Sequence, residues 1–383
     1  MSTGGGGSSL SSDSFARCAL VINPTRYPAY VKKLKRITRR TGIEHIVESR
    51  NKEHFISCVR EFCAGPERYL LVWGGDGTAH DAINAYMAAR ESGELAGPKA
   101  IGFLRGGSGN GIQDSYEVPF FFSRQLSALA ESVANDYVQT VDLLHIHSGD
   151  TVVYGQLVGV GFDAELLAVR SSKKARFGRY RSETRPGFLN YMIAGVVTFA
   201  RGFDAARRPR RVELLDGKYG FRGTRVNAEF PIEKLVRTTS AAMIEIGTRP
   251  YYGRMFKVCP DVVCNDGLMD VYVFNFQSRR EIVRHLPALW QGRHHAINST
   301  LSRKRRPVIE RYEVTKCTVS ETSPFSFHVD GELFRADPRS EFTVEIVPHA
   351  VPFIVPGTFY HKFHPFEDDT LGTKSPVSDE LDK

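Results

Sequence analysis

Through the first third of the chain, short apolar runs alternate with stretches whose apolar residues recur every three or four positions. Residues 19–22 form an apolar run that stops at Asn23-Pro24-Thr25, and Val31, Leu34 and Ile37 then mark one face of a basic helix closed by Gly42. Residues 43–47 predict a second strand, and Phe55, Ile56, Val59, Phe62 and Cys63 a second helix face. A third strand at 69–73 runs into Gly74-Gly75-Asp76-Gly77-Thr78, after which Ile83, Tyr86, Met87 and Arg90 keep helical spacing. Residues 100–104 predict a fourth strand, and Leu126, Leu129, Ala130 and Val133 a further helix. Such alternation predicts a Rossmann-like parallel sheet with helices on both faces and a ligand crevice at the carboxyl ends of the strands. Three polar or glycine-rich turns fall at those ends, at 23–25, 74–78 and 106–111, and one parallel sheet brings them to a common edge.

Beyond about Tyr137 the period shortens to two. Strands are predicted at 138–146, 152–160, 211–215, 242–246, 271–276, 314–319 and 342–347, which makes the second half β-rich. The exception is 187–203, an apolar helical stretch too short and interrupted to span a bilayer comfortably; it reads as a core helix, or as the wall of an apolar pocket or a membrane-facing segment. The opening 1–15 is Gly/Ser-rich with neither a basic start nor an apolar core, and reads as a disordered leader; 359–383 reads as a polar tail.

Composition changes this picture in two respects. The 383 residues, 42% hydrophobic and 25% charged, suffice for two domains. The six cysteines are scattered as in a cytoplasmic protein with reduced thiols, and Cys259 and Cys264 lack the spacing of a zinc site. The net charge of +8 is clustered at 170–185, 207–211 and 303–306, which suits an anionic membrane surface. No nucleic-acid-binding motif accompanies these runs, so nucleic acid is not expected as a partner. The sequence leaves the oligomeric state open, a homodimer included.

Candidate chemistry lies in the turns. Glycines at 74, 75 and 77 let backbone amides approach a phosphate, and Gly107-Ser108-Gly109-Asn110 offers a flexible backbone with a small hydroxyl and an amide. The phosphate-binding loop ending in Gly-Lys-Ser/Thr is missing, position 110 is asparagine where a hydrolase elbow needs glycine, and the Gly-x-Gly-x-x-Gly turn of a Rossmann oxidoreductase is absent. Acidic groupings stand at Asp142, at Asp266 and Asp270, and at Asp330 and Glu332.

Seven short motifs occur in one order: Asn-Pro-Thr at 23–25, Gly-Gly-Asp-Gly-Thr at 74–78, Gly-Ser-Gly-Asn at 107–110, Val-Asp-Leu at 141–143, Gly-Phe-Asp-Ala at 161–164, Asn-Asp-Gly-x-x-Asp at 265–270 and Val-Asp-Gly-Glu at 329–332. Together they resemble the diacylglycerol kinase, sphingosine kinase and ceramide kinase superfamily. The resemblance implies an ATP-binding α/β catalytic domain over 16–140, a β-sandwich substrate domain over 141–358 whose last strand is able to return to the first domain, and an active site in the cleft between them. It implies an ATP-dependent kinase that phosphorylates a lipid hydroxyl, of diacylglycerol or of a sphingoid base or ceramide, with Mg²⁺ and reversible membrane association. By position it assigns Asn23, Thr25, Gly74, Gly75, Asp76, Gly77, Thr78, Gly107, Ser108, Gly109, Asn110 and Glu332 to ATP. It gives Asp76 and Asp142 to Mg²⁺ and its waters, Asp266 with backbone carbonyls near Val263 and Leu268 to a structural Mg²⁺, Asp163 or Glu165 to the lipid head, and Asp330, with Asp76, to catalysis. Arg26-Tyr27-Pro28 replaces the glycine usual after Asn-Pro-Thr. Two rivals remain: a kinase of a soluble substrate such as NAD, and a noncatalytic ATP- or lipid-binding regulator.

Overall fold

The computed structural model describes residues 15, 17–25, 28–43, 45–165, 167–168, 207–222, 225–226, 230–253, 255–336 and 340–365. Most of the leader and tail, Arg26-Tyr27, the basic run at 170–185 and the apolar stretch at 187–203 lie outside them.

Four strands, β1 (Cys18–Ile22), β2 (His45–Glu48), β3 (Tyr69–Gly74) and β4 (Ala100–Arg105), pair in parallel in the order β4-β3-β1-β2. Alternate residues face opposite sides. Val21, Leu70 and Val72 pack under α2 (Lys52–Ala64) and α3 (Asp76–Glu91) with Phe55, Val59 and Ile83, whereas Leu20, Leu71 and Trp73 pack under α1 (Pro28–Thr38) and α5 (Phe122–Ala134) with Leu34, Leu126 and Leu129. Both faces are covered, which is why β1 and β3 are apolar without alternation. The short α4 (Gly111–Ser115) follows β4. Gly42 has φ 87° and ends the first helical segment, as its position predicted.

The second half is antiparallel. Its strands are β5 (Val138–Ser148), β6 (Thr151–Gly155), β7 (Leu157–Gly161), β8 (Arg210–Arg222), β9 (Arg225–Val226), β10 (Pro231–Thr239), β11 (Met243–Gly247), β12 (Tyr251–Gly253), β13 (Phe256–Lys257), β14 (Met269–Phe274), β15 (Ile309–Ser320), β16 (Phe325–Val329), β17 (Glu332–Ala336) and β18 (Glu341–Ile354). Their order β17-β16-β7-β11-β14-β15-β18 encloses a core with Val158, Ile244, Val271, Val314, Phe327 and Phe342. The long β18 joins the halves: its first part pairs with β15 and β5, and at Phe353 it meets Ile101 of β4 in parallel. The architecture is the mixed α/β sheet with a following β-sandwich that the sequence predicted.

Three details differ from the pattern. The predicted strand over 152–160 is two strands broken at Gln156, whose amide turns aside to the carboxylate of Asp330. Strands β10, β16 and β17 were not predicted, because charged residues dilute the first and Asp330-Gly331 makes the other two read as a turn alone. The helices Arg279–Trp290 and His294–Arg303 were also missed.

Candidate active site

The edge formed by β1, β3 and β4 brings the three turns into contact. The Asn23 side-chain amide donates to Thr78 Oγ1 at 2.9 Å, and the Thr25 amide donates back to Asn23 Oδ1 at 3.1 Å. Gly75 caps the start of α3, and a Cβ on it would lie 2.8 Å from the Gly107 Cα. Asn110 sits in the left-handed region with φ 61°, and its amide group both accepts from the Gly107 N–H and donates to the Gly107 carbonyl at 3.0 Å. The glycines therefore seat one turn on the other, a role distinct from leaving room for a ligand. Gly77 is different: a Cβ there meets only Glu332 Oε1, at 3.4 Å. Gly75→Ala is accordingly expected to lower thermal stability by more than 1 kcal/mol, whereas Gly77→Ala should fold normally. A raised KM for nucleotide in folded Gly77→Ala would report phosphate contact at this turn, and an unchanged KM would count against it.

Asp76 opens α3 and is half-buried. Its Oδ1 accepts from the Gly111 amide at 2.5 Å and the Ile112 amide at 3.2 Å, while Oδ2 faces Gly109 and Gly253. Burial raises its pKa, against Arg249 and these two amides. Along α3, Asp76, His80 and Asn84 recur every four residues, so they share one face, and that face meets the sandwich.

Asp330 lies at the tight turn between β16 and β17, with φ 50°. Its side chain is fully enclosed. Oδ1 accepts from Arg249 Nη2 at 3.1 Å, the Leu157 amide at 3.1 Å and the Gln156 amide at 3.2 Å; Oδ2 shares the Gln156 amide at 3.2 Å and faces His80 Nδ1 at 3.2 Å. Burial alone would raise its pKa, but His80 and Arg249 outweigh burial and hold it below the ordinary carboxylate range. His80 moves up in return, Asp330 overcoming its burial. Arg249, also buried, donates to the Tyr251 carbonyl and feels Asp76 as well as Asp330. Glu332, two residues on, is by contrast about 37% exposed in its side chain and faces Lys52 Nζ at 3.9 Å.

The remaining candidates fall elsewhere. Asp142 is buried, with Oδ1 taken by the His349 amide and Oδ2 by the Gly267 amide, each at 2.7 Å. It thus anchors the loop of Asp266, which itself accepts from the Leu268 amide at 3.1 Å, and does not share Asp76's hydrogen-bond partners. Asp270 is buried against Arg311. Asp163 pairs with His328, and Glu245 stands 3.9 Å from the same nitrogen; Glu165 is half-buried. Among the described residues, Asp163, Glu245 and His328 are the group whose three metal-ligating atoms come within 4.8 Å of one another. Gly159, the register partner of both His328 and Glu245, leaves the space over which they converge.

Burial would lower the pKa of His328, but Asp163 and Glu245 push it up to about 10. A folded value above the unfolded one, about 6.5, means that this pairing stabilises fully below pH 6.5 and loses its contribution as pH rises toward 10. Thermal unfolding should therefore show stability falling across that window, and His328→Gln should flatten the fall. An unchanged slope in the variant would assign the effect to other groups.

Sequence reasoning missed His80, Gln156 and Arg249. The i, i+4, i+8 polar stripe in an alanine-rich helix was a usable signal for His80, whereas nothing in the sequence distinguishes Arg249 from other arginines.

The family model of the diacylglycerol kinase catalytic domain matches residues 17–146, and that of the YegS C-terminal NAD kinase beta sandwich-like domain matches residues 167–355. The chain belongs to the diacylglycerol kinase-type superfamily. Diacylglycerol kinases of Mycobacterium tuberculosis, strains CDC 1551 / Oshkosh and ATCC 25618 / H37Rv, are each 24% identical over 243 residues, 62% of this chain and 65% of theirs. The match thus spans just under two thirds of those relatives. A crystal structure of a diacylglycerol kinase from Bacillus anthracis str. Sterne superposes with a TM-score of 0.55 at 14% identity, over 90% of this chain and 98% of that one, which is a likeness of fold. Among the described residues, this superfamily member has no helix long and apolar enough to cross a membrane.

Proposed function

We propose that the protein is an ATP-dependent lipid kinase transferring the γ-phosphoryl group to a hydroxyl of diacylglycerol or of a sphingoid base or ceramide. The carrying observation is the meeting of two carboxylate sets at one edge: Asp76 from the glycine turn of the α/β half, and Asp330 and Glu332 from the turn of the sandwich, linked by His80 and Arg249. In this reading the amides and hydroxyls of residues 74–78 and 107–110, with Asn23 and Thr25, bind the nucleotide. With Oδ1 held by the Gly111 and Ile112 amides, Asp76 Oδ2 would orient Mg²⁺ or its waters, and Gly109, which has no side chain, lets that oxygen lie against it. Magnesium, when bound, neutralises charge on the transferring phosphoryl group. Asp142 and the Asp266 loop, with the carbonyls near Val263 and Leu268, form a separate structural site. Glu165 is the better placed of the two head-group candidates, because Asp163 is already engaged by His328.

Asp330 is the proton acceptor in this account. Its low pKa suits a loose transition state in which the acceptor mainly orients the hydroxyl and takes its proton late. The hydroxyl would replace the Gln156 amide, which is split between both oxygens. A crystal structure with ADP and Mg²⁺ tests the site: nucleotide is expected against residues 74–78 and 107–110, and density on any other surface would defeat the assignment.

A further inference from the structure

We infer that the helix Arg279–Trp290, with the tip of the β12–β13 hairpin, is the face on which this protein docks to an anionic lipid bilayer. The inference rests on the lipid-kinase reading only for its purpose. Val283, Leu286 and Trp290 are 54%, 42% and 36% exposed, and their spacing puts all three on one side of the helix. His285 and Leu289, on the other side, are buried and hold the helix to the domain. Next to Trp290, Phe256 stacks on the indole at 5.3 Å, and Met255 at the hairpin tip is 63% exposed.

Charge selects the partner. Residues 279–306 contain eight Arg or Lys against one acid, Glu281, and Arg303, Lys304, Arg305 and Arg306 are all exposed. Glu281 is itself engaged by the Gln277 amide at 2.6 Å and faces Arg306 at 3.8 Å, which brings the basic run to the first turn of the helix. An apolar stripe flanked by arginines suits the boundary between headgroups and acyl chains of an anionic leaflet.

Position gives the surface a use. The hairpin tip lies beside the candidate active site: Gly253, the register partner of Phe256, has its Cβ position 3.7 Å from the Gly109 Cα and 3.8 Å from Asp76 Oδ2. Docking through Met255, Phe256 and Trp290 would therefore set the bilayer beside the candidate active site, at the hairpin tip that also touches Gly109 and Asp76. The run at 207–211 is a weaker candidate, since Arg210 is buried against Glu321 and Arg211 is paired with Glu213.

Binding is measured without ATP or acceptor, on vesicles of phosphatidylcholine with or without phosphatidylglycerol, so that it is independent of the reaction. Only Trp73 and Trp290 are present and Trp73 is buried, so a change in indole emission when vesicles are added to the unaltered protein reports Trp290. The expected result is a blue shift and quenching by brominated acyl chains with anionic vesicles, reversed by high salt. Val283→Asp with Leu286→Asp should weaken sedimentation with these vesicles about tenfold or more while the melting curve and nucleotide binding stay as before. Binding without change at Trp290, equal binding by the folded double variant, or no binding by the unaltered protein would overturn the inference. So would a dimer in sedimentation velocity that the double variant dissociates, because the face would then belong to a second copy. If vesicles bind as expected but no lipid is phosphorylated, the docking face stands and the kinase reading fails.

Discussion

Asp330→Asn is expected to lower kcat about 10²- to 10⁴-fold, the span of lost general-base help, while nucleotide affinity changes little because the proposed nucleotide contacts lie mostly in the α/β half. The variant should also lose stability. Asparagine presents a donor where the carboxylate accepts from both His80 and Arg249, so one buried N–H of the cluster is left opposing another. The two consequences separate by measurement: calorimetry gives nucleotide affinity, thermal unfolding gives stability, and turnover is read well below the transition. Near-normal turnover would move the proton acceptor elsewhere, with Asp76 next in line. Lost nucleotide binding with intact folding would make Asp330 part of the metal or nucleotide network. The pairing also has a pH signature. A folded pKa below the unfolded value, about 3.9, means stability that is present above pH 4 and lost as pH falls through the folded pKa.

Arg249→Met should have the largest effect on stability. The buried guanidinium serves both Asp330 and Asp76, and its removal leaves the enclosed Asp330 with His80 alone and takes from Asp76 the cation that opposes its burial. Breaking a buried charge pair from one side costs about 3–5 kcal/mol, which lowers the melting temperature by on the order of 10 °C. Arg249→Lys keeps the charge but not the forked geometry that reaches both Asp330 and the Tyr251 carbonyl, and should recover part of the loss. A melting temperature within about 2 °C of the unaltered protein for Arg249→Met would show that the cluster is solvated and that its ion pairs contribute little.

The sequence made some of this legible for identifiable reasons. Strands β1, β3 and β4 are covered on both faces, so their apolar runs stood out, and the turns at their ends had to share an edge. Asp330 was visible through the Val-Asp-Gly-Glu motif at 329–332 that carries part of the family resemblance, since Asp-Gly alone marks only a turn. What remained hidden depends on pairing across long separations. Arg249 acquires its role only when the fold brings Asp330 of the β16–β17 turn and Asp76 of α3 to it, and Gln156 breaks a strand only because a carboxylate 174 positions away takes its amide. Likewise Asp142 carried the resemblance to a metal site, yet its two oxygens bind the amides of Gly267 and His349, contacts that no local pattern encodes.

The central claim, phosphoryl transfer to a lipid hydroxyl, is tested most directly by incubating the purified protein with γ-labelled ATP, Mg²⁺ and a total lipid extract, with NAD in a parallel reaction. The account predicts label in an organic-phase phospholipid whose mass exceeds that of its precursor by one phosphoryl group, and none in NAD. Labelled NAD, or nucleotide binding with no labelled lipid at all, would contradict it.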